Sequence, residues 1–231
     1  RSTMSQASAA TFSSTPQGHP FCLRVPLAKA TANRCAGCGL DIRRHSREEV
    51  TDEQLLAVLN AQDDGKSSVV LPGELAVGSY KAALAVCREE HATNAVLNCA
   101  GYRLHAFLPA TRAAFDRLRL ESPPRLLDLE WEDSEAFRIP LEDLERGLAW
   151  ASDRVRAGQM VLVNCAQGKS RSGTMAVAYV MRRLNLPVEE ALTRVQRARP
   201  LVEPNSAFLE ALRAFEGEIR AGGASLPAVL V

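Results

Sequence analysis

Cys165 stands among residues that together could handle an anion. It is followed by Ala166, Gln167, Gly168, Lys169 and Ser170, then by Arg171, Ser172 and Gly173. The run before it, Met160 to Val163, is continuously apolar, as in a buried parallel strand. The residues from Ser172 to Leu184 form a strongly apolar helical stretch that Asn185 ends. A loop between a strand end and a helix start presents unpaired backbone N–H groups, which make an anion cradle. Gly168 lets that loop curl tightly. Positive dipoles and a nearby guanidinium favour thiolate over thiol at Cys165, and thiolate is the reactive nucleophile. Arg171 lies six positions on, and its planar fork can take two oxygens of a phosphate at once. The same grip would spread charge during phosphoryl transfer. Ser172 could donate a hydrogen bond to the sulfur and ease its departure in a second step. Attack on phosphorus is therefore expected of Cys165, with Arg171 and residues 166–170 holding the oxygens and Ser172 assisting the sulfur. The plainer alternative makes Cys165 a structural thiol on a core strand.

Other elements must position this loop. Ser68 to Leu71, Leu75 to Val77 and Ala95 to Asn98 read as short strands, and Arg125 to Trp131 alternates at period two through Leu127, Leu129 and Trp131. Helices are expected over Ser79 to Arg88, from Pro140 to Gly158, over Val188 to Ala198 and over Ser206 to Arg220. Phe107 to Leu118 fits helix or loop equally. Alternating strands and helices predict an α/β fold, a mostly parallel central sheet of four to five strands flanked by helices, with an irregular amino-terminal extension. Ligands in such sheets sit at the carboxyl ends of strands, which again selects the segment after Val163. The expected division is a disordered leader (1–18), an extension with a short helix near 52–62 opened by a Thr51-to-Gln54 capping box (19–66), a catalytic domain (67–220) and a tail (221–231).

The loop resembles the cysteine-x5-arginine signature of the protein tyrosine phosphatase superfamily. The spacing of Cys165, Gly168, Ser170, Arg171 and Ser172 is similar to that of the dual-specificity phosphatases. The flanks share the likeness: Leu71 to Ser79 with its entry segment, Val96 to Asn98 with its second core strand, Ala178 to Met181 with its loop helix, and Arg199-Pro200 with Pro204-Asn205 before its closing helix. The resemblance covers about residues 67–219. It implies hydrolysis of phosphotyrosine and phosphoserine or phosphothreonine on proteins through a phosphocysteine intermediate, with no cofactor required and no metal at the catalytic site. It also implies an Asp that protonates the leaving oxygen, on the loop after a core strand. Asp133 fits that place; Asp128 lies inside the strand and Glu132 is a weaker rival. The family's His before the nucleophile is replaced by Asn164, whose amide can donate similar bonds. Two alternatives remain open: a phosphatase of phosphoinositides or other non-protein substrates, which a cation at Lys169 would suit, and a catalytically weak phospho-binding module.

Elsewhere, Cys35-x2-Cys38-Gly39 resembles a zinc knuckle, with Cys22 as a third ligand and His19 or His45 as a fourth. Structural zinc in the extension is thus an expectation, against three uncoordinated thiols. Cys87 and Cys99 are expected in the core, and His91 and His105 at the surface. A net charge of +1 leaves no basic imprint for nucleic acid, and no apolar run approaches a membrane span. Arg1 to Thr15 lacks the apolar stretch of a secretory signal. Reduced cysteines point to the cytoplasm, with the nucleus as the other reducing compartment. The expected partner is a phosphorylated protein substrate, and the pattern sets no oligomeric state.

Overall fold

Short apolar runs rich in β-branched residues suit strands covered on both faces. The structure is a computed structural model that describes residues 17–22, 34–38, 40, 45, 47–51, 54, 57–58, 65–88, 94–101 and 109–221. In it, Ala95–Asn98 (β3) and Val161–Asn164 (β5) are buried at every position. Together with Ser67–Leu71 (β1), Leu75–Gly78 (β2) and Leu126–Asp128 (β4) they form a five-stranded sheet in the order β1-β2-β5-β3-β4. β2, β5, β3 and β4 run parallel, and β1 is an antiparallel edge joined to β2 by a tight turn. Gly73 takes φ +74° in that turn, and the Glu74 N–H donates to the Leu71 carbonyl at 3.1 Å.

Period-two alternation divides the buried side chains between the two faces. Ala76, Val96, Leu126 and Leu162 face helices Tyr80–Arg88 (α1) and Pro109–Leu120 (α2), packing with Ala83, Cys87, Phe115 and Leu118. Leu75, Val77, Leu97, Val161 and Val163 face the larger core of Leu141–Arg156 (α3), Arg171–Leu184 (α4), Val188–Ala198 (α5) and Ser206–Arg220 (α6). The chain steps outward from β2 through β3 to β4 on one face, then returns to the centre through α3 on the other. That reversal places the carboxyl end of β5 where doubly wound sheets bind ligands.

The expected fold is therefore observed, with differences in detail. The alternating segment Arg125 to Trp131 keeps only three residues in the ladder. Beyond Asp128 the chain peels away, with the Leu129 N–H on the Asn98 carbonyl, the Trp131 N–H on the Cys99 carbonyl and an isolated bridge from Ala100 to Glu130. The ambiguous stretch after Phe107 is helical from Pro109. Asn185 ends α4 in the left-handed conformation, φ 52°, and Asn205 caps α6 by accepting the Phe208 N–H at 3.0 Å.

The chain divides into two compact units, Arg1–Asp64 and Gly65–Val231. In the first, the Thr51 capping box forms reciprocally: Gln54 N–H donates to Thr51 Oγ1 at 3.2 Å and Thr51 N–H to Gln54 Oε1 at 3.0 Å. Gln54, Ala57 and Val58 are helical. The rest of the expected 52–62 helix, most of the leader and tail, and His91 and His105 lie outside the described residues.

Leu148 on α3 is wholly buried in the larger core, whereas Leu120 at the end of α2 is 82% exposed. Leu148→Ala should cost about 2–5 kcal/mol and Leu120→Ala less than about 0.5 kcal/mol, read from denaturant midpoints. Equal costs would contradict this packing.

Candidate active site

Four strands bring polar or small residues to one level at the carboxyl edge of the sheet. Asn164 pairs with Gly78 on one side and Asn98 on the other, and Asn98 pairs with Asp128 beyond it. The loop from Cys165 to Arg171 rises from this edge. Its carbonyls are held from outside one after another. Ala166 O accepts from Tyr80 N–H at 3.3 Å, and Gln167 O from Arg199 Nη2 at 3.1 Å. Gly168 O accepts from Arg199 Nε at 2.9 Å, Lys169 O from Glu203 N–H at 3.2 Å, and Ser170 O from Thr174 N–H at 2.8 Å. In a trans peptide the C=O and the following N–H point to opposite sides. The amides of residues 167–171 are thereby turned to the inner side of the curl, as an oxyanion requires. Gly168, at φ +71°, has no room for a side chain: a Cβ would lie 2.6 Å from the Gly78 backbone and 2.9 Å from Arg199 Nη2.

Cys165 is buried at the loop's start, and its Sγ lies 3.2 Å from Ser172 Oγ, which is itself buried on the first turn of α4. Arg171 opens that helix. Its Nη1 donates to the Trp131 carbonyl at 3.2 Å, and its Nε lies 3.7 Å from Asp133 Oδ2. The structure thus sets Cys165 against Ser172 and Arg171 beside Asp133, with Arg171 and Ser172 adjacent on the first turn of α4. Asp133 is 35% exposed on the loop after β4. Asp128 is committed elsewhere: Arg119 Nε donates to its Oδ2 at 3.1 Å and Asn98 Nδ2 to its Oδ1 at 2.7 Å. Glu132 faces solvent.

These features have counterparts in known proteins. The family model for the dual specificity phosphatase catalytic domain matches residues 75–218. The chain belongs to the dual specificity phosphatase family. Among its relatives, mouse protein phosphatase Slingshot homolog 3 is 29% identical over 186 residues, 80% of this chain and 25% of that protein. Human dual specificity phosphatase 28 is 39% identical over 89 residues, 37% of this chain and 51% of that protein. The crystal structure of human DUSP28 superposes with a TM-score of 0.54 at 28% identity, covering 67% of this chain and 95% of that one. The chain thus spans about a quarter of Slingshot homolog 3 and about half of dual specificity phosphatase 28.

Within this family framework, Asn164 is the departure, and its surroundings are polar. Its Nδ2 lies 3.3 Å from Asn98 Oδ1 and 3.4 Å from the Cys165 carbonyl, while its Oδ1 is buried without a hydrogen-bond partner. Lys169 pairs with Glu203 at 2.5 Å. Cys99 lies behind the nucleophile, and burial, with the neighbouring Cys165 adding to it, pushes its thiol well above the ordinary range. Burial likewise pushes Cys87 up to about 12. Both are core residues, as expected.

Arg199 went unrecognised from sequence except as a family flank. It is buried, and besides its two loop carbonyls it donates to Lys66 O at 3.2 Å. Nothing local marks it, since it lies 31 residues from Gly168. In the amino-terminal unit, the ligand atoms of His19, Cys35, Cys38 and His45 lie within 4.8 Å of one another. Cys22, expected as the third ligand, is not among them: its thiol faces solvent near the Pro20 carbonyl at 3.5 Å, and its backbone N–H instead reaches Cys35 Sγ at 3.4 Å. Both histidines take part, where one was expected.

A lysine at 199 could not span three carbonyls at once. Arg199→Lys should weaken inhibition by vanadate and lower kcat/KM for an aryl phosphate by on the order of 10-fold or more. An unchanged inhibition constant would show that the clamp does not shape the cradle.

Proposed function

We propose that this chain is a protein phosphatase of dual-specificity type, hydrolysing phosphotyrosine and phosphoserine or phosphothreonine through a phosphocysteine intermediate. The observation that carries the reading is the meeting of Cys165, Ser172 and Arg171 on a loop whose carbonyls are all held outward. In the first step Cys165 Sγ attacks phosphorus. The S–P bond forms, the ester P–O bond breaks and Asp133 gives its proton to the leaving oxygen. Arg171 and the inward amides hold the non-bridging oxygens, where charge redistributes in the transition state. Arg171 also links the nucleophile loop to the acid loop through the Trp131 carbonyl, so closing on an oxyanion would carry Asp133 with it. In the second step water attacks phosphorus, Asp133 takes a proton from it and the S–P bond breaks. Ser172 then donates to the departing thiolate.

These steps call on no cofactor. The thiol nucleophile fits a reducing compartment, and we place the protein in the cytoplasm on that ground. No helix among the described residues is long and apolar enough to cross a membrane. A phosphoinositide reading would lean on Lys169, whose ammonium is engaged by Glu203. That pair is exposed and weak, so the preference for protein phosphate esters rests on the likeness to protein phosphatase Slingshot homolog 3.

Cys165→Ser should abolish turnover, by more than about 10³-fold, while keeping affinity for a phosphopeptide. Hydrolysis at the wild-type rate would remove the covalent mechanism. Asp133→Asn should slow phosphopeptide hydrolysis by on the order of 10²-fold or more while sparing an aryl phosphate with an activated leaving group. An equal small effect on both would assign the proton to another group. In a panel of phosphopeptides and phosphoinositides, turnover should be greater on the peptides; the reverse ranking would transfer the assignment to lipid.

A further inference from the structure

Among the described residues, the first unit shows a small buried core. Its buried hydrophobic cluster among the described residues consists of Phe21, Cys35, Val50 and Val58. Cores this small usually need a disulfide or a metal as a staple. Cys22, Cys35 and Cys38 form no disulfide.

We propose that His19, Cys35, Cys38 and His45 bind a structural zinc ion through two thiolates and two imidazole nitrogens.

The ligand atoms lie within 4.8 Å of one another, and Cys38 Sγ is 3.5 Å from His45 Nε2. Tetrahedral zinc with S and N ligands needs edges of roughly 3.3–3.8 Å, so closing on the ion requires movements of about 1 Å at most positions. The two imidazole rings stand almost perpendicular, at 79°, with centroids 5.2 Å apart, so that they approach a shared centre from different directions.

The surroundings prepare each ligand. His19 Nδ1 lies 2.9 Å from the Pro20 carbonyl, which holds the proton on that nitrogen and leaves Nε2 for the ion. His45 is wholly buried. Its Nδ1 has no well-aligned hydrogen bond, and Glu49 Oε2 stands 3.4 Å away, placed to take the Nδ1 proton contact once Nε2 is engaged. Burial of an imidazole with no aligned bond at Nδ1 costs stability, and coordination at Nε2, which already faces Cys38 Sγ, offsets part of that cost. The Cys22 N–H points at Cys35 Sγ at 3.4 Å, a bond that favours thiolate. Paired Cys and His ligands suit zinc better than magnesium or calcium, which prefer oxygen. On binding, each thiol releases its proton to solvent and the imidazoles bind neutral, so no redox partner is needed.

The ligand set makes Cys22 the discriminating control. The full chain, purified without chelator, should carry about one zinc by elemental mass spectrometry. After exchange it should give the intense visible absorption and sulfur-to-cobalt charge-transfer band of tetrahedral Co²⁺. Cys38→Ser and His19→Ala should lose both signals, and Cys22→Ser should keep both. His45→Cys retains four ligands, and should keep the visible band while strengthening the charge-transfer band; this covers the case in which His45→Ala fails to fold. The proposal is overturned by a full chain without zinc that gives no tetrahedral cobalt spectrum. Loss of binding in Cys22→Ser, or a Cys35–Cys38 disulfide in place of the metal, would overturn it equally.

Discussion

A planar peptide cannot turn its carbonyl and the next amide to the same side. The chemistry of this protein depends on that constraint at the loop from Cys165 to Arg171. Each carbonyl from Ala166 to Ser170 accepts a hydrogen bond on the outside of the curl, and the donors come from four different places: the start of α1, the Arg199 side chain after α5, the segment before α6 and the first turns of α4. The amides facing inward are thus fixed before any anion arrives, which lowers the reorganisation cost of binding and transfer. Close approach completes the arrangement. Gly168 meets the Gly78 backbone, and Gly173 lets Val202 pack where a Cβ would lie 2.6 Å from its Cγ1. These glycines are required by contact, and at Gly168 also by a left-handed backbone.

The remaining polar groups at the sheet edge separate the roles of the two aspartates. Asp128 is drawn into the Asn98 and Arg119 network and serves structure. Asp133 lies a few residues further on, where β4 has left the ladder and the loop is free of sheet pairing. The proposed mechanism asks for a proton donor that can reach a leaving group and withdraw, and the second position, off the ladder, suits that role. Asn164 supports the nucleophile from below through its amide. Its Oδ1 is buried without a hydrogen-bond partner, whereas Asn98 accepts the Ala100 N–H and donates to Gly101 O and Asp128.

What could be read from sequence was what is local in the chain. Cys165, Gly168, Arg171 and Ser172 fall within eight consecutive residues, and their geometry follows from one strand end and one helix start. The same holds for the Thr51 capping box and for α5 and α6, whose bounds match the periodicity. Long-range features were harder to read. Arg199 clamps carbonyls more than 30 residues away. Glu74 receives both arms of Arg183 at 2.9 and 2.8 Å across 109 residues, and no periodic signal encodes that pairing. The period-two pattern runs past β4 because Leu129 and Trp131 stay buried and keep single backbone bonds to Asn98 and Cys99 after the regular ladder has ended. In the amino-terminal unit the Cys35 and Cys38 pair was visible. The choice between Cys22 and a second histidine was not, because irregular chain carries no period from which side-chain direction can be read.

The central claim is that an oxyanion sits against the inward amides, between the residue-165 side chain and the Arg171 fork. A crystal structure of the full-length Cys165→Ser variant soaked with inorganic phosphate tests it most directly. The account predicts phosphate oxygens about 2.7–3.2 Å from the amide nitrogens of residues 167–171 and from two guanidinium nitrogens of Arg171. Phosphate bound elsewhere, or a loop whose amides turn away from it, would contradict the account.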